Sequence, residues 1–484
     1  MTSIKYKSFL LVTIIFVKQF KQSYVKLIIQ KIYRGIKMEN KEIFSKSALK
    51  ALIIPLLVEQ VLAVTVGLSD VMMVSNVGEA AISGVSLVDM INNLMIAIFA
   101  ALATGGAVVT AQCIGARHYE EARKSAKQLI IVAITLSIVI MVGCLIFNRH
   151  ILRVLFGSID NDVMHNAMLY FLISSASYPF LALYNSCAAL FRSMGNSAIS
   201  MKVSILMNVI NICGNAILIF VFKMGVEGVA IPSLVSRFIA AIIMLVLIRN
   251  KNNVVYVDHH NFKPEFGMIR RILYIAIPSG MENGIFQFGR IIVVSIISTF
   301  GTVQIAANAV ANSIDGMGTL CGQAISLAMI TVVGQCVGAG DLKQVRLYTK
   351  KLLKIAYILT ICVNSTILLT LPWILKIFSL SDETRSLAFI LICIHNGCAI
   401  LLWPLSFVLP NALRACNDVK YTMVVSIFSM CMFRILFSYI IGQYFGMGAI
   451  GVWIAMIIDW IFRVIFFVYR FVSGKWEKLT YANR

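Results

Sequence analysis

The chain has 484 residues, of which 60% are hydrophobic and 13% charged, with a formal net charge of +21. These fractions lie far outside those of a water-soluble enzyme or nucleic-acid-binding domain, so they exclude both and predict an all-α membrane protein. The eleven cysteines have no metal-type spacing and most lie in apolar stretches. We therefore expect free thiols, with no disulfide framework and no cofactor; Cys416, in a predicted loop, is the main exception to their apolar setting.

Residues 1–47 are predicted to be a basic N-terminal extension. Its apolar stretch, Phe9–Val17, is too short to span a bilayer, and a Lys-rich stretch, Lys18–Lys37, follows it. The stretch could be signal-like, although no cleavage site follows, or a basic helix lying on the membrane surface. We favour a third interpretation, in which Met38 is the true start.

Twelve apolar segments follow, six in each half of the chain. They lie near residues 50–74, 84–110, 128–147, 166–190, 200–222, 226–248, 272–298, 305–334, 352–372, 386–410, 420–443 and 447–469. The predicted division is an N-lobe at 48–248, a cytoplasmic linker at 249–271, a C-lobe at 272–470 and a tail at 471–484.

The two halves are related by an internal repeat with a constant offset of 223 residues. The matched pairs include Pro55 and Pro278, Glu59 and Glu282, Gly78 and Gly301, Gln112 and Gln335, Gly115 and Gly338, and Gly228 and Gly451. Because each half has an even number of segments, equivalent helices run in the same direction, and the pseudo-twofold axis should lie along the membrane normal.

Loop charge predicts the orientation. The loops after segments 2, 4, 6, 8 and 10, together with the C-terminal tail and the first residues of the segments that follow those loops (Lys202, Lys354 and Lys420), carry 22 Lys and Arg, against five in the loops after segments 3, 5, 7, 9 and 11. The positive-inside rule then places both termini in the cytoplasm of a multi-pass cell-membrane protein.

The first segment carries two acids, Glu59 and Asp70, inside an otherwise apolar stretch. They are 11 residues apart, which is three helical turns and about 16 Å along one face. Ionised carboxylates in hydrocarbon are costly and usually face a protein interior or an aqueous cavity, where they serve binding or transport. The alternative is a pair of interfacial residues, one at each end of the span.

Several sequence stretches form a distinctive doubled pattern: PLLVEQ and LSDVMMVSNVG in segment 1, VVTAQCIGAR and its second copy ITVVGQCVGAG, PSGMENGIFQFGR in segment 7, GVEGVAIPS in segment 6 and MGAIGVWIAM in segment 12. These stretches resemble the multidrug and toxic compound extrusion (MATE) transporters. The resemblance covers about residues 45–470. It implies two six-helix lobes around a central cleft, and a secondary antiporter rather than an enzyme. Such a protein expels amphiphilic, often cationic compounds in exchange for sodium ions or protons, and we expect a monomer that binds no nucleic acid.

The resemblance also implies a cation site in the N-lobe. Asp70 matches the aspartate of that site, Asn211 and Asn215 match a pair in segment 5, and Ser233 matches a threonine in segment 6. Asn208, Asn211 and Asn215 share one helical stripe, although polar stripes also join helices. Some members have an acid at the position of Asn215. Because this chain has asparagine there, the site keeps one carboxylate, and the identity of the bound ion stays open. No metal is expected beyond sodium at Asp70.

Four further residues are expected at the substrate cleft. Glu59 and Glu282 could flank it and attract cations, or they could bond the carbonyls freed by the nearby prolines or pair with inner-loop Lys and Arg. Asp315 in segment 8 is a candidate for substrate or proton binding, and Gln287 stands near the position of an acid in other members.

The remaining intramembrane polar residues receive separate expectations. Asp89 and Asn93 are expected to share a face, Arg463 to snorkel toward the membrane surface, and His395 to serve core packing. Arg237 and Asp459 need partners that the sequence does not name.

A lipid-linked oligosaccharide flippase is the alternative function, favoured if arginines such as Arg237, Arg290 and Arg434 line a basic cavity.

Overall fold

The computed structural model describes residues 42–157, 160–258, 263–378 and 380–482, and every regular element in those ranges is a helix. The chain divides into Met1–Ile43 and one compact unit, Phe44–Arg484, which holds all helices named below. The predicted start at Met38 and the basic stretch before it lie outside the described residues.

The N-terminal half contains six long helices. They are α1 (Lys46–Val74), α2 (Glu79–Gly115), α3 (Tyr119–Ile146), α4 in two parts (Asn161–Ala176 and Tyr178–Ser193) that meet at 45°, α5 (Ser197–Ala216, with a π-helical continuation over Ile217–Val221) and α6 (Glu227–Ile248). A short helix, Asn148–Phe156, precedes α4.

The C-terminal half repeats this order. Its helices are α7 (Phe266–Ser298), α8 (Thr302–Gly338), α9 (Leu342–Ile377), α10 (Asp382–Trp403, continued by Pro404–Val408 and Leu409–Ala415), α11 (Val419–Ser429, continued by Met430–Leu436 and Ser438–Tyr444) and α12 (Gly448–Val472). A short helix, Glu477–Ala482, ends the described chain.

The helices match the twelve predicted segments, which confirms the all-α, twelve-helix, two-lobe fold. Ten of them are long and apolar enough to cross a membrane, and the bent pair α4 makes eleven, among the described residues. The remaining helix, α7, has a polar stretch that includes Glu282 and Arg290. A bilayer cannot hydrogen-bond exposed backbone groups, so long apolar sequences of this kind satisfy their peptide groups internally as helices.

The helices enclose two hydrophobic cores, one for each half, with an exchange between them. The first part of α1, through Leu52, Ile53 and Leu56, packs in the core of the C-terminal half. The first part of α7, through Ile272 and Ala276, packs in the core of the N-terminal half. Each half therefore lends the beginning of its first helix to the other, at the end of the molecule where the Lys- and Arg-rich loops lie. We call this end the basic end.

Candidate functional site

A chain of hydrogen bonds links α1, α5 and α6 in the N-lobe. The Asn215 side-chain amide (Nδ2) donates to Asp70 Oδ1 at 2.6 Å and lies 3.4 Å from Asn211 Oδ1. Asn211 Nδ2 in turn donates to Ser233 Oγ at 2.8 Å. The four residues that the sequence placed in a cation site are thus in contact, although their role as a site remains a prediction.

The packing of α5 against α6 fixes this arrangement. A Cβ on Gly214 would lie 2.7 Å from the Cβ of Pro232, so only glycine allows the two helices to approach this closely. Asn211 and Asn215 are buried, at 5% and 0% exposure, while Asp70 is half-buried. The two buried amides therefore lie between a half-buried carboxylate and the half-buried Ser233 hydroxyl.

Two side-chain atoms of this region lack partners within the described residues. Asn215 Oδ1 and Asn208 Nδ2 are both buried without a hydrogen bond. Buried polar atoms are nearly always satisfied, so an unsatisfied acceptor beside a carboxylate marks a place where another group can bind. Oxygen atoms of carboxylates, amides and hydroxyls are the ligands that hard cations prefer.

A second polar network lies beside the first, and the sequence did not assemble it. Asp89 accepts hydrogen bonds from Asn92 at 3.3 Å and from the Tyr170 hydroxyl at 3.4 Å. The Tyr178 hydroxyl donates to Asn92 Oδ1 at 2.9 Å. The expected neighbour Asn93 is exposed instead, because the third residue along α2, and not the fourth, faces the same neighbours as Asp89.

Arg237 finds its partner at the bend of α4, where its Nη1 donates to Ser177 Oγ at 2.7 Å. Ser177 is the residue between the two parts of α4 and is fully buried. The sequence indicated that Arg237 needs a partner, but a hydroxyl in a helix break carries no signal that would identify it.

In the C-lobe, Asp315 lies against His395. His395 Nε2 is 2.6 Å from Asp315 Oδ1, and its Nδ1 is 2.9 Å from Asn396 Oδ1. The imidazole is 1% exposed and packs edge-on against Trp453 and Trp460, whereas Asp315 is 24% exposed. His395 therefore packs in the core as predicted, and it also contacts the acid that was expected at the cleft.

The prediction that Arg463 snorkels was wrong. Arg463 is 2% exposed, and its Nε donates to Asp459 Oδ1 at 2.9 Å. Asp459 is fully buried, accepts a further hydrogen bond from Ser429, and has Arg434 Nη1 3.9 Å away. The Asp459 carboxylate, one turn earlier on α12, holds the Arg463 guanidinium inside the lobe. The position of Arg463 near the end of the helix therefore did not determine where its side chain points.

Glu59 and Glu282 both form ion pairs with arginines of the basic end. Glu59 lies 3.3 Å from Arg192 Nη1 and accepts a hydrogen bond from Ser200 at 3.1 Å. Glu282 lies 2.6 Å from Arg414 Nη2. Of the alternatives that the sequence left open, pairing with inner-loop arginines is the one that the geometry displays. Gln287 is half-buried on α7.

A small cavity of about 80 Å³ lies between the lobes beside Arg192, the partner of Glu59. Its walls come from α2, α4 and α8, including Thr104, Asn185, Arg192 and Thr331. Within the described residues, no three His, Cys, Asp or Glu side chains are grouped to hold a metal ion.

The repeat itself decides the family. A family model described as MatE matches the chain twice, over residues 55–217 and 278–440, and the two matches begin at the paired prolines. The chain belongs to the MATE family. It is thus a multi-pass membrane transporter of the multidrug efflux class, as the sequence predicted, and members of this family are transporters rather than enzymes.

Relatives and solved structures agree with this assignment. The chain is 25% identical over 431 residues to "Uncharacterized transporter YisQ" of Bacillus subtilis, covering 87% of this chain and 93% of the relative. It is 24% identical to "Probable multidrug resistance protein NorM" of Thermotoga maritima, over 90% and 93% of the two chains. A structure described as an outward-facing multidrug resistance MATE family transporter superposes with a TM-score of 0.83 at 21% identity, over 89% and 96%, which shows the shared fold.

Proposed function

We propose that this MATE transporter is a secondary antiporter that exports amphiphilic, often cationic compounds in exchange for sodium ions or protons. The observation that carries the proposal is the connected chain of Asp70, Asn215, Asn211 and Ser233 across three helices. A half-buried carboxylate with buried amide and hydroxyl neighbours can bind a proton or a small cation and release it to water.

The geometry supports two ways of taking the driving ion. The Asn215 amide nitrogen lies between Asp70 Oδ1 and Asn211 Oδ1, where a sodium ion bound by those oxygens would sit. Such an ion would have to displace the Asn215 side chain, which could then turn its unpartnered oxygen toward the ion and complete an oxygen-only ligand set. Alternatively, Asp70 binds a proton and the amide stays in place.

For the exported compound, we propose a cleft that includes Asp315 and Gln287, with Glu59 and Glu282 near its basic end. Asp315 supports this best, because its carboxylate is partly accessible although His395 behind it is buried. The NorM relative is described as a probable multidrug resistance protein, which agrees with a broad range of amphiphilic substrates.

Exchange requires that ion and substrate prefer different conformations, since a ligand shifts an equilibrium only by its differential affinity. We therefore expect Asp70→Asn to abolish gradient-driven efflux of ethidium from everted vesicles, tested under a sodium gradient and a proton gradient separately. Asp382→Asn is the control, because Asp382 is 98% exposed at the start of α10. Efflux that persists in the Asp70→Asn variant, with the protein folded and inserted, would refute the coupling role.

Two of the three arginines that suggested the flippase alternative, Arg237 and Arg434, have partners inside the protein and lend it no support. Arg237 is bound to Ser177, and Arg434 faces Asp459 within its own lobe. We further propose a monomer in the cell membrane with both termini in the cytoplasm, on the strength of the loop charges.

A further inference from the structure

At the basic end, each lobe donates one glutamine side chain to the backbone of the other. Gln112 Nε2 on α2 donates to the Ala415 carbonyl at 2.9 Å and to Asn417 Oδ1 at 3.1 Å. Gln335 Nε2 on α8 donates to the Ser193 carbonyl at 2.7 Å. The two glutamines are copies of each other in the repeat, so one contact is built twice, once in each direction.

Each acceptor carbonyl directly follows an arginine held by a glutamate of its own lobe. Ser193 follows Arg192, which pairs with Glu59, and Ala415 follows Arg414, which pairs with Glu282. The arginine and glutamate side chains are 9–14% exposed. These two ion pairs therefore fix, within each lobe, the backbone that receives the other lobe's glutamine.

The helices that carry the glutamines approach closely at this point. A Cβ on Gly115 would overlap the Gln335 carbonyl, and a Cβ on Gly338 would overlap the Gln112 carbonyl. The two glycines are also repeat copies. The backbones of α2 and α8 therefore meet where the glutamines cross between the lobes.

The glutamine contacts between the lobes can open without leaving buried polar groups unsatisfied. Gln112 and Gln335 are half-buried, so water can replace their partners once the lobes separate. Asn364, by contrast, is fully buried and donates to the Gly318 carbonyl inside the C-lobe, where a broken bond would leave an unsatisfied group. A neutral hydrogen bond makes only a small net contribution to stability, which suits reversible closure.

We propose that Gln112 and Gln335, with the Glu59–Arg192 and Glu282–Arg414 pairs as positioning residues, form a two-fold latch that closes the basic end between the lobes. The inference rests on alternating exposure in the proposed antiport, and it assigns the two glutamates a role in gating. The latch is closed in this structure and opens when the cleft faces the basic end.

The test is a distance measurement between spin labels on opposite lobes at the basic end. Labels are attached at Tyr119→Cys on α3 and Lys343→Cys on α9, both exposed sites. Exposed Cys213, Cys362 and Cys431 are first replaced by serine. We expect Gln335→Ala to raise the ratio of long to short distances about two- to tenfold, with Gln112→Ala multiplying the effect.

The matched control is Asn364→Ala, which removes an amide-to-carbonyl bond within one lobe and should lower thermal stability without changing the distance ratio. Glu59→Gln should shift the ratio in the same direction as Gln335→Ala, and it should add little in the Gln335→Ala background, because both act through Ser193. Glu282→Gln should instead multiply with Gln335→Ala, because it acts on the other contact.

An unchanged distance ratio in the double glutamine variant would overturn the latch. So would an equal shift in Asn364→Ala, or full additivity of Glu59→Gln with Gln335→Ala. The distance measurement needs no substrate and no gradient. If the expected distance shifts are seen but the protein shows no gradient-driven efflux, the proposed antiport function is refuted and the latch is not.

Discussion

Replacing Asn215 by aspartate would test the ion chemistry of the N-lobe chain. The Asn215 amide nitrogen is 2.6 Å from Asp70 Oδ1, so Asn215→Asp places two carboxylates in contact. Two like charges about 4 Å apart repel by about 4 kcal/mol at the effective dielectric constant usual for protein sites. The pair can persist only with a bound cation or a shared proton. We therefore expect the variant to be destabilised in sodium-free buffer at pH 8 and rescued by sodium.

The assay is the thermal unfolding of purified protein in NaCl against choline chloride at equal ionic strength. A ligand at 100 times its Kd stabilises the folded state by about 2.7 kcal/mol, which is enough to shift the melting temperature measurably. Asn208→Asp is the matched control, since Asn208 lies on the same stripe of α5 but has no bond to Asp70. Equal melting temperatures in sodium and choline for Asn215→Asp, at every pH from 6 to 8, would refute this account of the site.

Two further predictions concern buried groups of the C-lobe and its loops. Asp459→Ala leaves the Arg463 guanidinium buried without its carboxylate, and we expect a loss of about 3–5 kcal/mol in stability, read from unfolding of the purified protein; a loss below 1 kcal/mol would contradict the buried pair. Burial, followed by the charge of neighbouring Asp418, raises the pKa of the Cys416 thiol well above its ordinary value. The reactive thiolate is therefore scarce at pH 7.5, and N-ethylmaleimide should modify Cys416 far more slowly in the folded protein than after unfolding in detergent, as followed by mass spectrometry; equal rates would contradict it.

The sequence predicted the twelve helices and the two lobes because the internal repeat presents each helix of the fold twice. The resemblance to MATE transporters, and not the repeat, placed Asp70, Asn211, Asn215 and Ser233 together, and the structure brings these four residues into contact. The prediction for Cys416 was incomplete: a loop position suggested a different setting from the apolar segments, yet the thiol is fully buried.

Partners that come from distant helices could not be predicted. The side chain of Glu59 had several plausible neighbours, and only the folded arrangement brings Arg192, near the end of α4, within reach of its carboxylate. Arg463 was assigned to the membrane surface because its depth along α12 was readable and its rotational direction was not. Asn92 and Asn93 point in directions about 100° apart around α2. Because the sequence did not show which side of α2 faces the core, Asn93 was predicted as the neighbour of Asp89 in place of Asn92.

The exchange of the first turns of α1 and α7 makes neither half of the chain a complete folding unit. If the chain were cut at the connection between the halves, each fragment would lack the helix turns that fill its own core. Each fragment would also carry a protruding apolar helix end that matches the gap in the other. The two fragments should then regain structure only when they are made in the same membrane. A single-half ancestor built on this plan would have faced the same requirement, and pairing with an identical copy, each filling the other's gap, satisfies it.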